Sequence, residues 1–366
     1  MRIGFDAKRL FFNETGLGVY SRLLVEQLQS AYPDHTYILF TPKTKGSNYL
    51  DRFRSLPIIS SRRPFFRSWG MAKAIKTASI DIYHGLSHEL PIGIDRKVKT
   101  VVTIHDLIFE RYPEMYPLID RKIYQWKWRY SCRQADLIIS VSEQTKKDIL
   151  HYYGVDASKI RVLPPMVSNR FFQEIEEEQI STDRKRYQLP EGYFLFVGSI
   201  TQRKNLKLVI QAMSLLPPGI RLPLVVVGHK GDAFHDVIHS IKRHGLAEEV
   251  HFFQSVTNDD LPVLYRLATA LIYPSLFEGF GIPIVESLQS GTPVITSDIS
   301  SMPEAGGKGA LYIDPNDPHQ LARKMQEIQD PLVASSLVKF GRDHIKRFDP
   351  AFVGQKIFEL YTQLLE

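Results

Sequence analysis

Pro274-Ser-Leu-Phe-Glu-Gly-Phe-Gly-Ile-Pro-Ile-Val-Glu286, closed by Gly291-Thr-Pro293, decides how the rest of this chain is read. The apolar run Ala270-Leu-Ile-Tyr273 leads into it as a buried strand. Glu278 then falls in a glycine-flanked loop, and the spacing predicts a short helix that opens at Pro283 and stops at Gly291. Proline at the first helical position and glycine just past the last is the asymmetry helix ends favour. The amides of Phe280, Gly281 and Ile282 would then point out of a helix N-terminus, where unpaired donors and the positive end of the macrodipole attract an anion. Glu278 and Glu286 flank that place. A phosphate between two hydroxyl-seeking carboxylates describes a nucleotide-sugar pocket. The competing reading is an ordinary strand–loop–helix unit with one exposed and one salt-bridged Glu. The Gly279-x-Gly281-x-Pro283 insert and the closing Gly-Thr-Pro favour the pocket.

Glu278 and Glu286, with seven residues between them, resemble the E-x7-E motif of the retaining glycosyltransferases called group 1 or family 4. The likeness extends over most of the chain and is most specific between about Gly198 and Asp314. It implies the GT-B fold: two doubly wound Rossmann-like domains facing each other across a cleft, with a C-terminal helix crossing back to the first. It also implies that Glu278 contacts sugar hydroxyls near the reacting carbon and that Glu286 holds the ribose.

Composition agrees with two soluble domains. A chain of 366 residues exceeds the usual single-domain size, and 43% hydrophobic with 23% charged residues suits large buried cores. The single cysteine, Cys132, excludes an internal disulfide and points to a reducing compartment. Met1-Arg-Ile-Gly-Phe-Asp6 reaches a charge at once and reads as a first strand, so no secretory leader is expected. No apolar run approaches the roughly 18 residues of a membrane span. The expected location is the cytoplasm, either free or peripheral on the inner face of the membrane. The net charge of +6 suits polyphosphate substrates, an anionic membrane surface or nucleic acid. No nucleic-acid motif accompanies it and the bases are not gathered in an arm, so nucleic acid is not expected.

Short β-rich runs alternate with helical segments, the pattern of parallel, doubly wound sheets whose ligands bind beyond the carboxyl ends of the strands. Strands are expected at Arg2–Phe5, Tyr37–Thr41, Ile80–His84, Thr100–Ile104 and Leu137–Val141. In the second half they are expected at Tyr193–Val197, Leu224–Val227, Val250–Phe253, Ala270–Tyr273, Pro293–Thr296 and Ala310–Ile313. A charge-rich, weakly structured segment from Pro164 to Arg186 separates the halves. The expected domains are residues 1–170, acceptor-binding and joined by a C-terminal helix over 350–366, and residues 185–349, which bind the nucleotide sugar.

Other motifs also fall at strand ends. Gly198-Ser-Ile-Thr-Gln-Arg-Lys-Asn205 places two cations beside a helix start near Asn205, which suits a departing diphosphate. A solvated basic turn is the competing reading. The resemblance assigns Lys204 to the diphosphate, with Gly198 and Ser199 approaching the donor. Many relatives carry an arginine where this chain has Ser199, and Arg203 supplies the second charge instead. Thr15-Gly-Leu-Gly-Val-Tyr20 lacks the third glycine of a dinucleotide fingerprint, since Ser21 stands there. It resembles the family's glycine loop, with Gly16 and Gly18 near the donor phosphate. A structural turn competes. His105-Asp106 closes an apolar strand, where the resemblance gives His105 a contact to the donor sugar. Gly228 and Val256 are expected near the base. Ser142 and Thr145 read as a helix cap.

The pairs His84/His88 in a loop and His235/His239 on a surface helix have no third ligand, and no Asp-x-Asp triplet occurs, so no metal and no cofactor are expected. Asp120-Arg-Lys-Ile-Tyr-Gln-Trp-Lys-Trp-Arg-Tyr130 interleaves bases with aromatics and either leans on an anionic membrane or buries its rings. The reading as a whole is a metal-independent retaining transferase moving a hexose from a nucleoside diphosphate sugar to a glycan or lipid-linked saccharide in cell-surface polysaccharide synthesis. GDP-mannose is the first choice of donor, with a UDP-hexose nearly equal. Another GT-B enzyme, such as an epimerase or phosphorylase, and a non-catalytic sugar-nucleotide-binding partner of a synthase complex remain alternatives.

Overall fold

The near-continuous apolar runs fold as strands sealed on both faces. In a computed structural model that describes residues 1–63 and 65–366, they assemble into two parallel sheets. The chain divides into two units, Met1–Ser168 with Arg347–Glu366, and Asn169–Lys346.

The first unit holds β1 (Arg2–Asp6), β2 (Thr36–Thr41), β3 (Ile58–Ser60), β4 (Ile82–Gly85), β5 (Lys99–Ile104), β6 (Leu137–Ser140) and β7 (Ile160–Val162). Their order is β3-β2-β1-β4-β5-β6-β7. The sequence reading missed β3 and β7. Each is a three-residue outer strand only partly buried, so neither carries a recognisable run. The helix Gly16–Ala31 buries Tyr20, Leu24, Val25 and Leu28 against one face. The C-terminal helix Pro350–Leu365 adds Val353, Ile357 and Tyr361 to the same core. Asp349 caps that helix, accepting from the amide of Ala351 at 2.8 Å. Tyr361 seals it to the sheet: its hydroxyl lies 2.6 Å from His84 Nδ1.

The second unit holds β8 (Phe194–Val197), β9 (Leu224–Val227), β10 (Val250–Phe253), β11 (Ala270–Tyr273), β12 (Val294–Ser297) and β13 (Ala310–Ile313). The order β10-β9-β8-β11-β12-β13 reverses between β8 and β11. Outside that reversal lies the crevice where ligands bind doubly wound sheets. Of the segment expected to be weakly structured, the residues from Asn169 on belong to this unit and include the helix Glu177–Arg186. Its first turn is acidic (Glu177, Glu178) and its last basic (Arg184, Lys185, Arg186), so its charges follow the helix dipole; composition alone reads them as disorder.

Candidate active site

Two loops leave the sheet of the second unit at its reversal point. The first follows β8. Gly198 sits at φ 146°, a conformation open to glycine, and packs against the Lys204 side chain. A single helical turn, Gln202–Lys204, then presents both cations. Asn205 at φ 58° ends that turn, so the next helix starts at Leu206. The Asn205 side-chain amide donates to the carbonyls of Pro274 (3.2 Å) and Pro315 (2.8 Å).

The second loop follows β11 and is tied to the first. Leu276 donates its amide to the Arg203 carbonyl at 2.8 Å, and Arg203 Nη1 donates to the Phe277 carbonyl at 2.6 Å. The hydroxyls of Ser300 and Ser301 each lie 2.9 Å from the Glu278 carbonyl. Backbone and side chains thus hold Glu278 from both sides.

Glu278 Oε1 stands 2.6 Å from Arg203 Nη1 and 2.8 Å from Lys204 Nζ. Lys204 also donates to the Tyr273 hydroxyl, with its ammonium 4.4 Å from that ring's centroid. Burial alone would raise the Glu278 carboxyl. Lys204 and then Arg203, through charge and hydrogen bonds, outweigh it and hold the group at about 2. The carboxylate is ionised, and one acid between two cations leaves the cluster positive.

The sequence reading gave Glu278 to sugar hydroxyls and the cations to a diphosphate as separate tasks. The structure joins all three in one ion-paired cluster, because buried charges must find opposite charges. Tyr273, Ser300 and Ser301 were not foreseen. Tyr273 at the strand's last residue was a signal available in the sequence; the serines are more than twenty residues away and carried none.

The helix Ile282–Gln289 opens one residue earlier than expected, with Pro283 inside its first turn and Gly291 at φ 75° beyond its end. Gly281, at φ 108°, turns the chain into it, and its Cα faces the Ile284 side chain closely enough that a Cβ would crowd it. Phe280 is buried. Glu286 is half-buried on this helix, and its Oε2 accepts from the Tyr265 hydroxyl at 3.0 Å. Burial raises its carboxyl, opposed by that hydrogen bond and by Arg170. Gly228, beyond β9, packs so closely on Gly198 that a Cβ would lie 2.0 Å from the Gly198 carbonyl oxygen. Sheet packing therefore demands this glycine. Ser199 follows Gly198, and Val256 lies half-buried in the loop after β10.

His105, Gly16 and Gly18 lie in the first unit. Gly18 is in the first turn of its helix, and a Cβ there would meet the Asn13 carbonyl oxygen at 1.8 Å. His105 Nε2 donates to the Leu86 carbonyl at 2.9 Å, which leaves Nδ1 as an acceptor. Burial lowers His105 to about 4, so the ring is neutral near pH 7. Tyr20 and His88 pack edge-on against it, and Trp128 stacks on His88. His84, the last residue of the expected strand Ile80–His84, is a buried residue of β4 bonded to Tyr361 and Thr103. Ser142 does cap the helix Glu143–Tyr153, accepting from the Thr145 amide at 3.0 Å.

A positive cluster and a helix N-terminus at the reversal point of a parallel sheet, with a second acid on that helix, can take up an anion and a hydroxyl-bearing group beside it. Comparison with known proteins extends this to the whole chain. Residues 179–341 match the model for "Glycosyl transferases group 1" and residues 15–170 that for "Glycosyltransferase Family 4". O-antigen chain mannosyltransferase B of Escherichia coli is 31% identical over 353 residues, covering 90% of this chain and 91% of that protein. The chain belongs to the group 1, family 4 glycosyltransferases. Its fold is that of their GT-B structures. A glycosyltransferase from Rickettsia africae ESF-5 superposes with TM-score 0.78 at 20% identity, covering 100% of this chain and 98% of that one. Anabaena Alr3699/HepE, solved in complex with UDP-glucose, gives TM-score 0.75 at 18% identity over 99% of this chain and 100% of its own.

Proposed function

We propose that the chain is a retaining hexosyltransferase that moves mannose from GDP-mannose to a glycan or lipid-linked saccharide in cell-surface polysaccharide synthesis, without a metal ion. The observation that carries the reading is the Arg203–Glu278–Lys204 cluster beside the Ile282 helix end. As the glycosidic bond breaks, charge gathers on the leaving diphosphate. Two fixed cations and a helix N-terminus stabilise it in place of a metal. Glu278 orients the sugar, and Glu286 with Tyr265 grips the ribose. A carboxylate held at about 2 by two cations is a weak nucleophile for a covalent glycosyl intermediate. That supports front-face attack, with the leaving phosphate accepting the acceptor's proton.

The mannosyl assignment is supported by the 31% identical O-antigen chain mannosyltransferase. A UDP-hexose donor is the second reading, favoured by the likeness to a UDP-glucose complex. Thermal-shift titration with GDP, UDP and ADP in EDTA separates them, since a ligand that binds the native state raises the melting temperature. GDP should give the largest rise, and GDP-mannose should turn over in the same buffer. No shift with any of the three would end the donor-site reading. A strict need for a divalent cation would end the metal-free one.

Location is part of the same proposal. Among the described residues, no helix is long and apolar enough to cross a membrane. The helix Leu118–Gln134 buries Ser131 and Cys132 and turns Leu118, Ile119, Ile123 and Trp126 outward, Ile119 at 75% and Trp126 at 53% exposure. Lys122, Arg129 and Arg133 share that face. Apolar side chains flanked by cations suit the surface of an anionic bilayer. Ile119→Glu with Trp126→Glu should abolish co-sedimentation with phosphatidylglycerol vesicles.

A further inference from the structure

The carboxyl edge of the first unit carries a feature the transferase reading does not use. Beyond the ends of β1, β2 and β3 lies a depression of about 610 Å³, within the usual size range of ligand sites. Lys8 follows β1 by two residues, Lys43 and Lys45 follow β2, and Arg62 follows β3. With Phe12 and Pro42 they line the depression, and among the described residues no acid does.

These cations differ from their neighbours. Arg52 pairs with Glu26, Arg54 with Asp51, Lys76 with Asp95, and Arg67 with Asp6 and Glu89. None of Lys8, Lys43, Lys45 and Arg62 has a carboxylate within ion-pair distance among the described residues. Four like charges around one hollow repel each other unless an anion enters.

The walls are anchored. Thr41 donates its hydroxyl to the Lys43 carbonyl at 2.9 Å, and Ser47 donates to the Phe11 carbonyl at 2.7 Å. The Lys43 ammonium rests 4.7 Å from the Phe12 ring centroid, which leaves an aromatic face beside the charges. Lys8 is half-buried, and desolvation first and Arg67 next lower its affinity for its proton, opposed by the charges of Glu89 and Asp6.

We propose that this depression binds a phosphate-class anion carried by the acceptor, with Lys43, Lys45, Arg62 and Lys8 as its ligands and Phe12 as a platform for an adjoining sugar ring. Only the word acceptor rests on the transferase reading; the anion site stands on the cations and the hollow. Phosphate on a lipid and phosphate on a soluble saccharide share this chemistry.

Inorganic pyrophosphate titrated calorimetrically into the full chain tests it. The expectation is two sites per chain, one here and one at Arg203 and Lys204. Lys43→Ala/Lys45→Ala/Arg62→Ala changes exposed residues and should keep the native circular dichroism while weakening one site about tenfold or more. Lys45→Glu alone should weaken the same site if the triple variant misfolds. Lys204→Ala should remove the other site. Loss of one site in the triple variant but none in Lys204→Ala would leave this proposal standing and the donor reading broken. Unchanged two-site binding in both the triple variant and Lys45→Glu overturns the proposal, as does a single wild-type site lost with Lys204→Ala. Dihexanoyl phosphatidic acid, kept monomeric, against glucose 1-phosphate then identifies the carrier: the tighter binder at the mutated site names the source.

Discussion

Each unit gathers buried charge at the carboxyl edge of its sheet, with opposite stoichiometry. In the first, Arg67 stands between two acids, 2.6 Å from Asp6 and 2.9 Å from Glu89, and Lys127 pairs with Glu89 at 3.2 Å. In the second, Glu278 stands between two cations. The Arg67 cluster is closed: its acids are answered by cations, and nothing in it asks for a ligand. The Glu278 cluster keeps a positive excess next to a helix N-terminus and can exchange its carboxylate for a stronger anion. Similar burial therefore serves stability in one place and binding in the other. The sign of the residual charge decides which.

The largest effects should separate the two clusters. Arg67→Ala leaves Asp6 and Glu89 buried with one partner fewer, which should lower unfolding free energy by about 3–5 kcal/mol in denaturant titrations. Nucleoside diphosphate binding to whatever remains folded should persist. Lys204→Ala should weigh the other way, cutting kcat/KM by about 10² to 10³, or roughly 3–4 kcal/mol, while lowering the denaturation midpoint less than Arg67→Ala does, because Arg203 still pairs with Glu278. If Lys204→Ala unfolds the protein and Arg67→Ala only slows it, the contrast is wrong.

Acid should sharpen the same comparison. His105 at about 4 and His84 at about 3 are depressed from 6.5 by burial, so the unfolded chain takes up their protons first. Stability of the first unit should fall as pH drops from about 6.5 toward 4. Glu278 is depressed from 4.5 to about 2. Its contribution is full above its unfolded value and is lost only as pH falls from about 4.5 toward 2. Shifts of the size seen for His105 and Glu278 each correspond to about 3 kcal/mol. Trp69, Trp126 and Trp128 all lie in the first unit, so tryptophan fluorescence reports it alone. Fluorescence should change at a higher pH than hydrogen exchange in β8 and β11; the opposite order would contradict the assignment.

A smaller and less intuitive effect concerns Glu278 itself. Glu278→Gln removes the anion that occupies Arg203 and Lys204, so a nucleoside diphosphate should bind on the order of tenfold tighter even as turnover falls. Weaker binding would mean the carboxylate organises the cations more than it competes for them. The smallest effect should be Ser142→Ala, which removes a helix cap for about 1 kcal/mol of stability and no loss of turnover.

Local chemistry made much of this legible. Apolar runs located eleven of the strands near their observed ends, and the Pro283 and Gly291 signals placed the helix between the two glutamates within one residue. The resemblance carried by Glu278 and Glu286 gave the family. What stayed hidden depended on partners distant in sequence. Ser301 supports Glu278 from 23 residues away, Tyr361 reaches His84 across 277 residues, and Tyr265 meets Glu286 from the preceding helix. The strand expected at Ile80–His84 runs from Ile82 to Gly85, so His84 lies inside it and not in the loop read for the His84/His88 pair.

Sequence by itself determined the parallel sheets, the helix ends and the residue types at the site, because each follows from periodicity, capping and propensity over a few neighbouring residues. Tertiary structure alone decided that Glu278 pairs with both Arg203 and Lys204, that Arg67 is enclosed by acids, and that Lys8, Lys43, Lys45 and Arg62 share one hollow. Charge interactions depend on distance and burial, and both are set only when strands far apart along the chain lie side by side.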